Sequence, residues 1–354
     1  MYRALNEDNK KAVSYFWNRL RRDISLHSDQ RVIPERMRYE RTGFDKILFY
    51  DQYIDMTFKE VGEMARAKAM YYEKRLKQVA QQVDPNRSWD DLYEDEVVGK
   101  LQAVSSYKAL FDAHHRALEE VEAFAKEKGL FGDILPPGKH IYWSKDEKKF
   151  AFNERLTPGK LGNGNVLYIN GLTPPDDYSD LRVAQHVIQL LYPGTVYMRH
   201  KRDILKEKMS PTLQGALKYI RNPFWLTEEG WNAYVLELME EQGFFNRNPL
   251  EHLSVLRQLY RNAVLANAVK HYMTQEQHLG YIKVYLSYAL QLGKKDVDNT
   301  IDKMLRKPEV YLFRVLGREM IYALREKVRQ KEGDAFSLRS FHDRFIEGGA
   351  LPIP

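Results

Sequence analysis

The 354 residues carry a net charge of +6, from 55 basic and 49 acidic side chains, and contain no cysteine. That length suits one large domain or two ordinary ones, and 44% hydrophobic with 12% aromatic content rules out a disordered chain. The lack of cysteine excludes disulfides, cysteine-ligated metals and thiol catalysis.

The two charge signs are interspersed along the chain, which points to a solvated mixed surface and not to a nucleic-acid partner. Met1 to Trp17 reads as a charged amphipathic helix without the apolar centre of a signal peptide. No apolar run approaches the roughly 18 residues of a membrane span. The chain is therefore expected to be soluble, either exported or cytoplasmic.

Residues 5–25 have helical spacing, with Val13, Phe16, Trp17, Leu20 and Ile24 on one stripe. Residues 1–47 are read as an N-terminal helical segment, and 48–354 as the main domain. Thr57 with Glu60 forms a capping-box pattern that opens a helix running to about Val83. Asp84-Pro85-Asn86-Arg87 is a turn, and Ser88 or Asp90 can cap a short helix over Trp89, Leu92 and Tyr93. A further long helix is predicted over 95–128, ended by Lys128-Gly129.

The texture changes at about 139–171. His140 to Trp143, Lys149 to Asn153 and Val166 to Ile169 are β-like runs. Thr157-Pro158-Gly159 and Gly162-Asn163-Gly164 read as turns between them. The second lacks the helix and Lys-Ser/Thr of a phosphate loop. From Tyr178 onward the pattern is helical again, over about 178–191, 195–208, 210–220, 227–242, 249–271, 274–292, 295–305, 308–331 and 337–347. The expected fold is mostly α, with a small sheet beside the helices.

Two stretches carry the functional question. One is Gln189-Leu190-Leu191-Tyr192-Pro193-Gly194-Thr195; the other is Glu228-Glu229-Gly230-Trp231-Asn232-Ala233-Tyr234. They resemble a zinc-peptidase core that reads His-Glu-x-Tyr-Pro-Gly-His and Glu-Gly-Trp-Ala-x-Tyr. Further likenesses follow in the same order: Asp55 to Gly62, Gly164 to Asn170, Tyr311 to Arg325, Phe336 to Asp343 and Gly348 to Pro352. Over about 48–354 the chain resembles the bacterial domain of unknown function 885, metallopeptidase-like proteins related to the gluzincin oligopeptidases.

The resemblance implies a zinc ion on two imidazoles and one carboxylate, with a glutamate as general base. Here Gln189 and Thr195 stand in place of the imidazoles and Leu190 in place of the base, so only Glu229 is left. The family's Asp-x-Gly-x-His helix end has become Asn267 and Val269, with His271 retained. The expectation is a metallopeptidase-like scaffold with a decayed site: no catalytic residue, no zinc, and a peptide- or protein-binding role. Leu190 is expected to pack against Trp231 or Tyr234 and fill part of the old pocket.

Candidate ligand-binding residues are His186, Tyr192, Arg199 and His271. The rival readings are a hydrolase whose metal site has moved to His186, Glu229 and His271, and a structural subunit of a larger assembly. His114 and His115 are sequence neighbours on different faces and do not chelate together. His342 is expected to be structural.

Overall fold

A computed structural model describes residues 48, 54, 56–94, 106–132, 140–149, 156–162, 164–173, 180–208, 210, 225–273 and 277–347, all within the compact unit Arg41–Pro354. The predicted N-terminal helix and the stretch 348–354 lie outside the described residues, as do 95–105 of the predicted helix 95–128 and 211–220 of the predicted helix 210–220.

The helices are α1 (Phe58–Val83), α2 (Trp89–Leu92), α3 (Tyr107–Glu127), α4 (Asp180–His186), α5 (Thr195–Lys208), α6 (Trp225–Glu241), α7 (Pro249–Met273), α8 (Leu279–Leu290), α9 (Lys294–Arg306), α10 (Pro308–Glu332) and α11 (Leu338–Glu347). Their starts follow local chemistry. Thr57 caps α1 in a reciprocal box with Glu60, Ser88 caps α2 and Ser106 caps α3, each satisfying an amide that the first turn leaves open. Pro308 stands at the first turn of α10, where its missing N–H costs nothing.

Helices α6 and α7 form the centre. Every residue of α6 from Leu226 to Glu240 except Glu229 is buried, as is most of α7. Helix α1 packs along α7, and α10 packs along α6 and also touches α7. At the α6–α10 crossing the backbones nearly touch. A Cβ on Gly230 would lie 2.5 Å from Gly317 Cα, and one on Gly317 would lie 2.5 Å from the carbonyl oxygen of Leu226. No larger side chain fits at either position without parting the helices.

The sheet has three strands, β1 (Ile141–Ser144), β2 (Leu156–Leu161) and β3 (Gly164–Asn170), in the order β1-β3-β2. β1 runs parallel to β3 and β2 antiparallel to it. One sequence expectation changes here. Thr157-Pro158-Gly159 is not a turn but part of β2, an edge strand, where a proline's missing donor is tolerated. Gly159 faces the ring of Tyr168, which a Cβ would approach within 2.8 Å, and the Tyr168 hydroxyl donates to the Lys160 carbonyl at 2.7 Å. Of the predicted strand Lys149–Asn153 only Lys149 is described, and it ends a 3-10 turn, Glu147–Lys149; 150–153 lie outside the described residues. Helix α5 packs on β3 and also touches β2.

Candidate functional site

Helix α4 does not run on to Leu191 as one α-helix. After His186 it widens into a π-helical turn, Val187–Leu191, a feature often found at functional sites. Tyr192 and Pro193 follow, joined by a cis bond. Gly194 then passes so close to the preceding turn that a Cβ there would sit 1.9 Å from the Gln189 carbonyl oxygen. This tight return starts α5 at Thr195 beside the turn it has just left, and the Thr195 hydroxyl reaches the Gln189 carbonyl at 3.4 Å.

Helix α6 closes the other side. Trp231 Nε1 donates to the Pro193 carbonyl at 2.7 Å, and Asn232 Nδ2 donates to Thr195 Oγ1 at 2.7 Å. The two stretches singled out in the sequence thus meet in space, and α6 packs against the π-helical turn. Trp231 and Tyr234 are enclosed by other aromatic residues: Trp231 lies against Phe131 and Phe345, and both contact His342. Leu190 and Gln189 are half-buried. Leu191 to Thr195 are the buried part of the motif.

The carboxylates of the site are not free. Arg314 Nε, from α10, donates to Glu229 Oε2 at 2.8 Å. Arg199 donates through Nε and Nη2 to Glu228 Oε1 at 3.0 and 2.6 Å, and Arg202 Nη1 to Glu228 Oε2 at 3.1 Å. The pattern extends along the whole of α6. Glu237 pairs with Arg318, Glu240 with Arg75, and Glu241 with Arg325. Each of the five glutamates of α6 meets an arginine. Such charge-assisted contacts satisfy carboxylates that burial would otherwise destabilise.

The remaining candidates separate. Tyr192 is buried edge-to-face against Phe131 and Tyr197. Arg199 is engaged by Glu228 and by the Pro158 carbonyl. His186 is half-buried and its ring lies parallel to that of His114, centroids 6.1 Å apart. His271 is half-buried near the end of α7. Among the described residues, no three His, Asp or Glu side chains are grouped as a metal ion requires.

His342 is a structural hub. Its Nδ1 meets the Leu130 carbonyl at 2.7 Å; a carbonyl can only accept, so Nδ1 carries the proton. Nε2 therefore accepts from the Tyr234 hydroxyl at 2.7 Å. Burial holds this imidazole neutral, with its pKa lowered to about 4. His114, whose Nδ1 meets the Leu110 carbonyl at 2.8 Å, is likewise lowered to about 4 by burial.

Zinc needs two imidazoles and a carboxylate in this place. The chain offers an amide, a hydroxyl already bound to Asn232, and a carboxylate already held by a guanidinium. These residues do not fit the ion. Sequence reasoning found Glu229 but missed Arg314, Asn232 and Glu228. Asn232 carried the one readable signal, since it stands where the family pattern has alanine.

The model of the bacterial protein of unknown function family, DUF885, matches residues 2–354. The chain belongs to this family. The DUF885 chain also shares its fold with two solved structures. One, a candidate lipoprotein from Colwellia psychrerythraea, has a TM-score of 0.73 at 15% identity, over 88% of this chain and 53% of that one. The other, a candidate lipoprotein of unknown function from Shewanella oneidensis, has a TM-score of 0.72 at 13% identity, over 99% and 66%. The chain thus spans between about half and two thirds of these structures. No curated protein matches the DUF885 chain. None of the helices among its described residues is long and apolar enough to cross a membrane.

Proposed function

We propose that this DUF885 protein is a catalytically degenerate, metallopeptidase-like scaffold that works by binding, as a peptide-binding or complex-forming protein. The observation that carries the reading is the Glu229–Arg314 pair: the one ligand-type side chain left in the motif is neutralised by a guanidinium from α10. A guanidinium supplies a permanent positive charge to the carboxylate and leaves it no reason to recruit a cation.

A second contact supports the same reading. Thr195 stands where the resemblance implies an imidazole and Asn232 where it implies alanine, and the two are bonded to each other. The departures from the pattern thus bond to each other through the Asn232 Nδ2 donor, while Asn232 Oδ1 is a buried acceptor without a partner. Leu190 in place of a general base offers no acceptor for a proton.

The test is a digest of a mixed oligopeptide library by the purified chain in the presence of zinc, read by mass spectrometry. Cleavage no greater than that of the Glu229→Gln variant is expected. Cleavage that Glu229→Gln abolishes would overturn the proposal.

A further inference from the structure

Every glutamate of α6 has its arginine, but three arginines nearby donate to no carboxylate among the described residues. Arg257 and Arg261 are one turn apart on α7, on the same face, and Arg182 projects from α4. Arg182 Nη2 donates to the Tyr93 hydroxyl, and the Arg257 guanidinium stacks over the same Tyr93 ring at 5.0 Å. Tyr93 therefore draws the two cations together. The hydrogen bonds of the three arginines go to neutral groups: the Tyr93 hydroxyl, the Leu290 carbonyl and the Thr300 hydroxyl. Among the described residues no carboxylate accepts a hydrogen bond from any of them; the exposed Glu94 acts on Arg257 only through space.

The cost of this arrangement is visible in two ways. Arg257 is 6% exposed, and its Nε is a buried donor with no partner. Burial, and secondarily repulsion from Arg182, pushes Arg257 below the ordinary guanidinium range. Burial pushes Arg261 the same way, with Arg257 and Arg182 adding to it. An uncompensated buried charge destabilises a fold strongly unless something pairs with it. Trp89 and Tyr260 line a cavity of about 400 Å³ together with Glu73, Lys77, Arg87 and Asp90; the three arginines are not part of its lining. Arg257 lies 5.8 Å over the Trp89 ring, so that one side chain stands next to both the arginine and the cavity.

We propose that Arg182, Arg257 and Arg261 form a binding site for a phosphoryl-type oxyanion, with Arg257 Nε as its central donor. Three converging guanidiniums, with Tyr93, Tyr260 and Thr300 around them, suit a doubly charged tetrahedral anion better than a single carboxylate, which would offset only one of the three charges. This goes beyond the loss of the metal site and does not depend on it.

The test uses the full chain, with inorganic phosphate as probe. Calorimetric titration and thermal melting are run against chloride and acetate at matched ionic strength. Saturable phosphate binding is expected, with a melting midpoint raised in phosphate above chloride and a weaker response to acetate. Arg257→Gln and Arg261→Gln are each expected to weaken binding at least tenfold, while Arg247→Gln, at the exposed ion pair with Glu120, leaves it unchanged.

The discriminating readout is stability in chloride. Arg257→Gln removes an unpaired buried charge, so it is expected to be no less stable than the parent there and to lose the gain seen in phosphate. No saturable binding by the parent overturns the proposal. So does binding unaltered in both variants, acetate binding as tightly as phosphate, or an equal loss of stability by Arg257→Gln in both salts.

Discussion

Arg314 Nε and Glu229 Oε2 lie 2.8 Å apart across the α6–α10 interface. The contact exists because Gly230 and Gly317, each close by in sequence, let the two backbones cross at van der Waals limits. Fold and site are therefore one feature: the glycine crossing that packs the centre also brings a cation onto the carboxylate.

The pair should be measurable as a coupling. With Glu229 at 16% and Arg314 at 31% side-chain exposure, it is only partly shielded from water, and a coupling energy of about 1 kcal/mol is expected. Urea unfolding of Glu229→Gln, Arg314→Met and the double variant gives the value. Strict additivity would show that the two side chains do not stabilise each other.

Gly317→Ala should be among the most damaging small substitutions in the chain. Its Cβ would meet the Leu226 carbonyl oxygen at 2.5 Å, backbone that cannot rotate away, so a loss of about 2–3 kcal/mol is expected. Gly293→Ala is a comparison with nothing within reach of its Cβ and an ordinary φ of −65°. Equal, small effects from both would refute the close crossing.

Stability should fall as the solution is acidified through the histidine range. His114 and His342 are lowered from 6.5 to about 4 by burial. Below pH 6.5 the unfolded chain takes up protons that the folded chain refuses until about pH 4. Their contribution is therefore fully present above 6.5 and lost between 6.5 and 4, up to about 3 kcal/mol each. Urea midpoints across that window check it, with His114→Leu expected to flatten the slope. A slope that His114→Leu leaves untouched would assign the dependence elsewhere.

The helical skeleton was readable because its signals are local. Thr57 with Glu60, Ser88, and Pro308 at the head of α10 mark helix starts that the structure reproduces. The β2 strand was not readable, because Pro158-Gly159 is turn chemistry unless the strand lies at a sheet edge, and position in a sheet is not a local property. The approach of the two motif stretches could be anticipated from their resemblance to a known pattern. The partners of Glu228 and Glu229 could not, since an ion pair across 85 residues leaves no mark on either segment. Arg199, a candidate ligand-binding residue, is instead paired with Glu228, as is Arg202. The arginines without a carboxylate partner among the described residues sit on α4 and α7, where nothing in the sequence distinguishes them from surface charges.

Restoring the motif should cost stability in the absence of metal. In the variant Gln189→His, Leu190→Glu and Thr195→His, the largest loss is expected at Thr195, which is 2% exposed and bonded to Asn232. A fall of about 2 kcal/mol or more follows from crowding a buried position and orphaning an amide. Thr195→His alone should account for most of it in thermal melts. If Leu190→Glu alone carried the loss, the half-buried position of Leu190 would be the wrong guide.

The most direct measurement is the zinc content and zinc affinity of the purified chain, by elemental analysis and calorimetry, beside those of Glu229→Gln. With Glu229 held by Arg314 and no imidazole at 189 or 195, well under one equivalent is expected, and Glu229→Gln should change nothing. One equivalent of tightly held zinc that disappears in Glu229→Gln would contradict the degenerate site at its root.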